Sequence, residues 1–431
     1  MSRLHFARYR REQKLTHYLF RFPAKFHPPA LRCLIDRYSD EGQTILDPFC
    51  GSGTLLVEAL SAGRHAVGVD VDPVARFISK VKSKPINPKV LRSKAQVLLA
   101  TLKGLRRGDA EYDRLMFEDL SPTAIERFRQ GFGIPQIPKM THWFRTYVVL
   151  DLARIRNAIS SLDAAPEIRA FFLACFASII RNASNADPVP VSGLEVTAHM
   201  RERDRKGRRI DPFEMFENKV RRELDGMAEL WEVASDTSIR VLKGDATSLR
   251  SALGDALCDV AITSPPYNTA VDYYRRHMLE MYWLGLVETQ DDRLALAPSY
   301  VGRIQIRKDN KRLKTTFKSR YVNNLIAHAG AIDDARARAV THYCASMDKS
   351  LRQVARSLRP RGRAIFVVGN AKWNGARVRA TKLLAELAEP NFEIEEMLSY
   401  PARNRYMSYA RHNGASVDRE YVVVLTKRRR N

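Results

Sequence analysis

Apolar residues recur along this chain with two different periods, and the change from one to the other divides it. Near the N-terminus the pattern is short. Thr44 to Leu46 is an apolar run ending in Asp47. A Gly51-Ser52-Gly53 turn follows, then Leu55-Leu56-Val57-Glu58-Ala59-Leu60, then Gly63. This predicts strand, glycine turn and helix, with Gly63 stopping the helix. Ala66 to Val69, closed by Asp70, predicts a second strand. Such a unit calls for a right-handed parallel crossover. From about Asn87 to Ala234 the period becomes helical. Val148, Leu152, Ile155, Ile159 and Leu162 form one stripe, Phe171 to Ile180 predicts a buried helix, and Asp211-Pro212 opens another through Phe216, Val220 and Leu224. Arg201 to Arg209 (RERDRKGRR) reads as a basic loop between them.

Strand patterning returns at Ile239 to Leu242, before Gly244-Asp245, and again at Asp259 to Ile262. Cys344, Met347, Leu351, Val354 and Leu358 mark an amphipathic helix that Pro360 and Gly362 should stop. Ala364 to Val368 predicts a strand, Lys382 to Leu387 a helix, and Phe392 to Met397 and Glu420 to Leu425 the last strands. The fold class expected is α/β: a doubly wound, Rossmann-like sheet with a large helical insertion. Residues 1–86 and 238–431 would form the sheet domain, and 87–237 the insertion. Ligands of such sheets lie beyond the carboxyl ends of the strands.

Composition narrows the partners. Among 431 residues, 72 Lys and Arg against 48 acids give a net charge of +24, and 45% are apolar, enough for a substantial core. The excess charge favours a polyanion such as DNA or RNA. The five cysteines, at 33, 50, 175, 258 and 344, form no Cys-x-x-Cys pair and no zinc-ligand spacing, so neither metal nor disulfide framework is expected. A reducing, cytoplasmic setting fits. The charged N-terminus has no secretory h-region, and the longest apolar run, 171–180, is too short for a bilayer, so no membrane association is expected.

Chemistry concentrates at two strand ends. The first is Asp47-Pro48-Phe49-Cys50-Gly51-Ser52-Gly53-Thr54. Glycines at 51 and 53 would let backbone approach a ligand closely, and a helix start beyond them offers free N–H groups. A Walker lysine is absent, and the spacing is not Gly-x-Gly-x-x-Gly. Asp47 could accept from an ammonium, Asp70 (or Asp72) from ribose hydroxyls, and Asp245 from an adenine amino group. S-adenosylmethionine carries all three groups. Taken singly, such a turn or acid often serves only as a tight connection.

The second is Thr263-Ser264-Pro265-Pro266-Tyr267. An exocyclic amine attacks poorly because its lone pair is delocalised into the ring. Ser264 Oγ and the Pro265 carbonyl could accept from its N–H groups, Pro265 and Pro266 stiffen the backbone that aims them, and Tyr267 could stack on an extruded base. The bland alternative is a rigid turn with a packed tyrosine. Methylation at a ring carbon would need a cysteine nucleophile, and Cys50 and Cys258 read as small packed residues.

These strings resemble motifs of the amino-group DNA methyltransferases. DPFCGSGT is similar to motif I and TSPPY to motif IV, with serine in first place as in the cytosine-N4 subgroup; adenine-N6 enzymes more often carry Asp or Asn. Phe22-Pro23-Ala24-Lys25-Phe26-His27-Pro28 resembles motif X, which lies against the methionine part of the cofactor. Asp272 to Gly285 is similar to a helix after motif IV, and Gly369-Asn370 to the end of the fifth strand. The resemblance covers roughly residues 16 to 80 and 239 to 427. It implies an S-adenosylmethionine-dependent enzyme methylating N4 of cytosine, with adenine N6 as the alternative. Phe26, Phe49 and Thr54 join the expected cofactor set, and catalysis falls to Ser264, Pro265, Pro266 and Tyr267. DNA is the implied partner, in a bacterial or archaeal cytoplasm at the nucleoid, which opens a pairing with a restriction endonuclease. The order X, I, IV is not the commoner arrangement for this motif pair, and the stretch from Asp70 to Asp245 is unusually long.

Arg303 to Arg320 holds eight Lys or Arg and one Asp. It is the expected DNA-facing loop, with Arg307, Lys308, Lys311 and Arg312 as phosphate contacts, and the insertion offers a second candidate surface for DNA binding or target recognition. Rival readings are an RNA base amino-methyltransferase, an inactive DNA-binding protein of the same fold, and a glutamine-N5 protein methyltransferase. The last usually carries Asn before Pro-Pro-Tyr.

Overall fold

A computed structural model describes residues 2–429 except 10–13, 24, 189–192, 268–270, 304–305, 307–316, 374–375 and 402–418. Its strands in chain order are β1 (Ser2–Arg3), β2 (Thr44–Asp47), β3 (His65–Asp70), β4 (Ile239–Lys243), β5 (Cys258–Thr263), β6 (Leu358–Gly369), β7 (Ala371–Trp373), β8 (Ala376–Val378), β9 (Phe392–Pro401) and β10 (Arg419–Lys427). Eight of them form one sheet in the order β1-β9-β10-β6-β5-β2-β3-β4, while β7 and β8 pair as a separate hairpin. Strands β4, β3, β2, β5 and β6 are parallel, and β10 runs antiparallel between β6 and β9. From β2 the chain moves outward to β3 and β4; from β5 it moves the other way to β6. The β2–β5 junction is therefore the topological switch point, where such sheets open a crevice.

The central strands are apolar on both faces because helices cover both. Leu46, Val67, Ala261, Ala364 and Phe366 pack towards the helices Asp334–Ser357 and Ala380–Ala388. Ile45, Ala66, Val260, Ile262, Ile365 and Val367 pack towards α1 (Pro28–Tyr38) and α2 (Thr54–Leu60).

After β3 comes α3 (Pro73–Lys82), and then helices occupy the chain as far as Val233. Three of them match the sequence stripes: Thr146–Ser160, Pro166–Ala183 and Pro212–Val233, the last capped by Asp211 accepting from Phe213 N and Glu214 N. These helices share one core with Val74 and Ile78 of α3 and with Leu279, Met281 and Trp283 beyond β5. The helical layer thus braces the segments that follow β3 and β5.

Two local expectations need correction. Residues 201–205 are not loop. They belong to a helix, Ala198–Arg205, capped by Thr197. Only Met200 on it is buried, so no apolar period marks it. The long helix before β6 ends at Ser357, ahead of Pro360, because Leu358 already pairs with Cys258. Among the described residues, no helix is long and apolar enough to cross a membrane, and no group of three or more His, Cys, Asp or Glu could hold a metal.

Candidate active site

The turn after β2 is folded across the end of β3. Cys50 N donates to the Val69 carbonyl at 3.1 Å, and Gly51 N donates to Asp70 Oδ2 at 2.8 Å. Gly51 and Gly53 both have left-handed backbone, with φ of 48° and 72°. A β-carbon on Gly51 would meet the Phe22 ring at 3.2 Å, and one on Gly53 would lie 2.6 Å from Ser79 Cβ. The need for glycine is therefore met inside the protein. Gly53 does not line the pocket, contrary to expectation; it lets α2 start hard against α3.

The acids differ in what they are bound to. Asp47 is 4% exposed, and its Oδ1 accepts from Thr263 Oγ1 at 2.7 Å and from Phe49 N at 3.2 Å. Among the described residues Oδ2 has no partner. Burial pushes this carboxyl up to about 7, against the pull of those two hydrogen bonds. Asp70 accepts from Gly51 N and, at 2.9 Å, from Asp72 N, and burial followed by the charge of Asp72 raises it to about 6. Asp72, the alternative ribose partner, is like Asp70 engaged on both oxygens, but one of them meets a side chain. Oδ1 caps α3 at Val74 N and Ala75 N, and Oδ2 lies 2.6 Å from His277 Nδ1. Asp245 accepts from Thr247 N at 2.8 Å at the end of β4.

Beyond Thr263 the strand ends, and residues 264–267 belong to no helix or strand. The Ser264 side chain is hydrogen-bonded to the Tyr267 phenol, which burial holds well above the usual tyrosine range. The expected helix over 272–285 is broken into two, Tyr273–Arg276 and Met278–Trp283. The break falls at His277, whose ring is tied to Asp72. Tyr273 stacks on Phe22 at 5.2 Å, and its Oη donates to the Pro23 carbonyl at 3.2 Å.

Both strand ends open into one pocket of about 1060 Å³, part of it open solvent. Phe26, Asp47, Phe49, Gly51, Thr54, Asp70 and Asp245 line one part; Ser264, Pro265, Pro266 and Tyr267 line another. Thr54 and Pro266 thus face the same space. The sequence reading missed Phe22, Lys25, Tyr273 and Tyr300, which also line it. The first two lie in the FPAKFHP run and Tyr273 in the DYYRRHM run, signals that were available; Tyr300 has none. Lys25 is the one Lys or Arg among the described lining residues. Its Nζ donates to the His17 carbonyl at 3.0 Å and sits 4.2 Å from the Tyr18 ring centre, and burial lowers it to about 8. Cys50 and Cys258 are buried, and burial pushes both thiols up, Cys258 to about 11. Arg307, Lys308, Lys311 and Arg312 lie outside the described residues. Of the second basic surface, Arg208 is buried against Asp204, and Arg209 pairs at the surface with Asp109 and Asp113.

The family described as DNA methylase (N6_N4_Mtase) matches residues 3–80, which hold the FPAKFHP run, β2, its turn and β3. Over this stretch the chain is similar to the amino-group DNA methyltransferases. Among its relatives, Type II methyltransferase M.MvaI of Kocuria varians is 24% identical over 448 residues, 96% of this chain and 91% of that protein. Type II methyltransferase M.BsoBI of Geobacillus stearothermophilus is 24% identical over 294 residues, but the match spans only 53% of that relative. Type II methyltransferase M.MjaII of Methanocaldococcus jannaschii is 30% identical over 105 residues, 24% of this chain and 20% of that protein. Among solved structures, the rRNA methyltransferase aviRa of Streptomyces viridochromogenes matches at 11% identity and a TM-score of 0.33, covering 99% of this chain and 96% of that one. The sheet order of this chain puts its two motif-bearing strands, β2 and β5, side by side.

Proposed function

We propose that this protein is a site-specific DNA methyltransferase that modifies the exocyclic amino group of an extruded base, with cytosine N4 the favoured target and S-adenosylmethionine the donor. One observation carries the reading. The acids of β2 and β3 and the Ser-Pro-Pro-Tyr clamp of β5 border the same pocket, and the Thr263–Asp47 hydrogen bond joins the two strand ends.

The donor set fits the cofactor. Asp47 Oδ2 suits an ammonium, Lys25 suits the carboxylate beside it, Asp70 suits ribose hydroxyls, and Asp245 suits the adenine amino group. Phe22, Phe26 and Phe49 supply apolar wall. S-adenosylmethionine, when bound, supplies an electrophilic methyl group on a sulfonium.

The chain's own residues would do the rest. Ser264 Oγ and the Pro265 carbonyl accept from the amine N–H groups, hold the nitrogen, and draw it towards tetrahedral geometry. Tyr267 stacks on the base, and its bond to Ser264 fixes the hydroxyl that faces the amine. Serine in this place favours N4 of cytosine over N6 of adenine. The excess of 24 positive charges suits a DNA phosphate backbone, with 303–320 and the helical layer as the surfaces offered to it. Type II relatives support a restriction-modification setting with an endonuclease partner, in a bacterial or archaeal cytoplasm.

Labelled methyl transfer to DNA and to total RNA tests the substrate class. Label in DNA is expected; label in RNA alone overturns the reading.

A further inference from the structure

Tyr300 belongs to none of the motifs. It follows the turn Ala297–Ser299, and with Ser299 and Val301 it forms one wall of the pocket. The wall is fixed in place. Arg303 donates to the Ala297 carbonyl at 2.9 Å and lies over the Tyr274 ring at 4.8 Å, and Tyr300 meets the same ring edge to face at 5.6 Å. Gly302 has φ of 83°, and a β-carbon there would lie 3.2 Å from the Tyr267 carbonyl oxygen. The segment is thus seated between the end of β3 and the clamp.

The side chain is 5% exposed, and among the described residues its hydroxyl has no hydrogen-bond partner. Burial first, then the charges of Asp72 and Asp70, hold the phenol well above the usual tyrosine range, so it stays protonated and is a donor. A buried donor left unmatched is costly, whereas one matched by a ligand contributes to binding. Both neighbouring acids line the pocket, but Asp72 is buried and spent on α3 and His277, while Asp70 is only partly buried and its partners are two backbone N–H groups.

We propose that Tyr300 donates its hydroxyl hydrogen bond to a ribose hydroxyl of the methyl donor, opposite Asp70. A vicinal diol has two oxygens, so one can donate to the Asp70 carboxylate while the other accepts from Tyr300. This rests on the donor assignment above and extends it to a residue outside every motif.

The test is equilibrium binding, by calorimetry, of S-adenosylmethionine and its 2′-deoxy and 3′-deoxy counterparts to the wild type and to Tyr300→Phe. The substitution removes one oxygen and keeps the ring packing. Tyr300→Phe is expected to weaken the parent ligand about three- to tenfold. For the deoxy ligand that lacks the contacted hydroxyl, the two proteins should bind equally. An unchanged affinity for the parent overturns the proposal, as does an equal loss for the parent and both deoxy ligands. A wild type that binds none of the three overturns the donor assignment itself, and the proposal with it.

Discussion

Thr263 Oγ1 donates to Asp47 Oδ1 at 2.7 Å, linking side chains 216 positions apart in the sequence. One closes β5 at the clamp and the other closes β2 at the cofactor turn. The bond fixes the spacing of the two half-sites and helps keep Asp47 ionised, since it lowers a pKa that burial raises. Thr263→Val should cost roughly 0.5–1.5 kcal/mol of cofactor binding at neutral pH. The loss should grow as pH falls, because Asp47 would protonate at higher pH. Cofactor titrations at two pH values check both parts.

Asp47 also sets an acid limit on cofactor affinity. In the free protein its pKa is raised to about 7, and a ligand ammonium needs the carboxylate form. Affinity should be full above that value and fall by about tenfold per pH unit below it, with Asp70, at about 6, steepening the lower end. Asp47→Asn should bind more weakly at pH 8 and flatten the profile between 5 and 7. Stability of the free protein runs the opposite way. A carboxyl whose folded pKa is raised contributes stability at pH below its unfolded value, and that contribution is lost as pH rises through about 7. Melting temperature against pH for wild type and Asp47→Asn reads this directly.

Ser264→Ala and Tyr267→Ala should separate chemistry from cofactor binding. Both residues sit on the clamp side of the pocket. Turnover should fall on the order of a hundredfold or more while the cofactor dissociation constant stays within about threefold. Tyr267→Phe keeps the stacking face and should lose much less than Tyr267→Ala. Full turnover in Tyr267→Ala would remove the stacking role.

Asp70 and Asp72 should part company in the same way. Asp72→Asn weakens the cap of α3 and the His277 contact, so it should lower the melting temperature more than it lowers cofactor affinity. Asp70→Asn should do the reverse.

Gly53→Ala tests the packing of the cofactor turn. Its β-carbon would sit 2.6 Å from Ser79 Cβ on backbone with φ of 72°. The expected loss is roughly 1–3 kcal/mol of stability, seen as a lower denaturation midpoint.

What could be read from the sequence was local. The β2-turn-α2-β3 unit is written in short apolar runs closed by Asp47 and Asp70, and the clamp in two prolines that stiffen one strand end. The helical layer is legible from its 3.6-residue stripes. The rest depends on contacts between distant segments. Tyr300 reaches the pocket from chain beyond the motif-bearing strands, and nothing in its neighbours' periodicity says so. The helix after the clamp breaks at His277 because Asp72, 205 positions earlier, holds its ring. Gly53 looked like a ligand-facing glycine, but the atom that excludes a side chain there is on Ser79. The charge run at 201–209 is only partly tied up: Arg208 is buried against Asp204, whereas Arg201, Arg203, Arg205, Lys206 and Arg209 are exposed.

The most direct measurement is mass spectrometry of nucleosides from DNA treated with the purified protein and methyl-labelled S-adenosylmethionine. Label in N4-methylcytosine is expected. Label in N6-methyladenine would move the target while keeping the amino-group chemistry; label in 5-methylcytosine, or none in DNA, would contradict it.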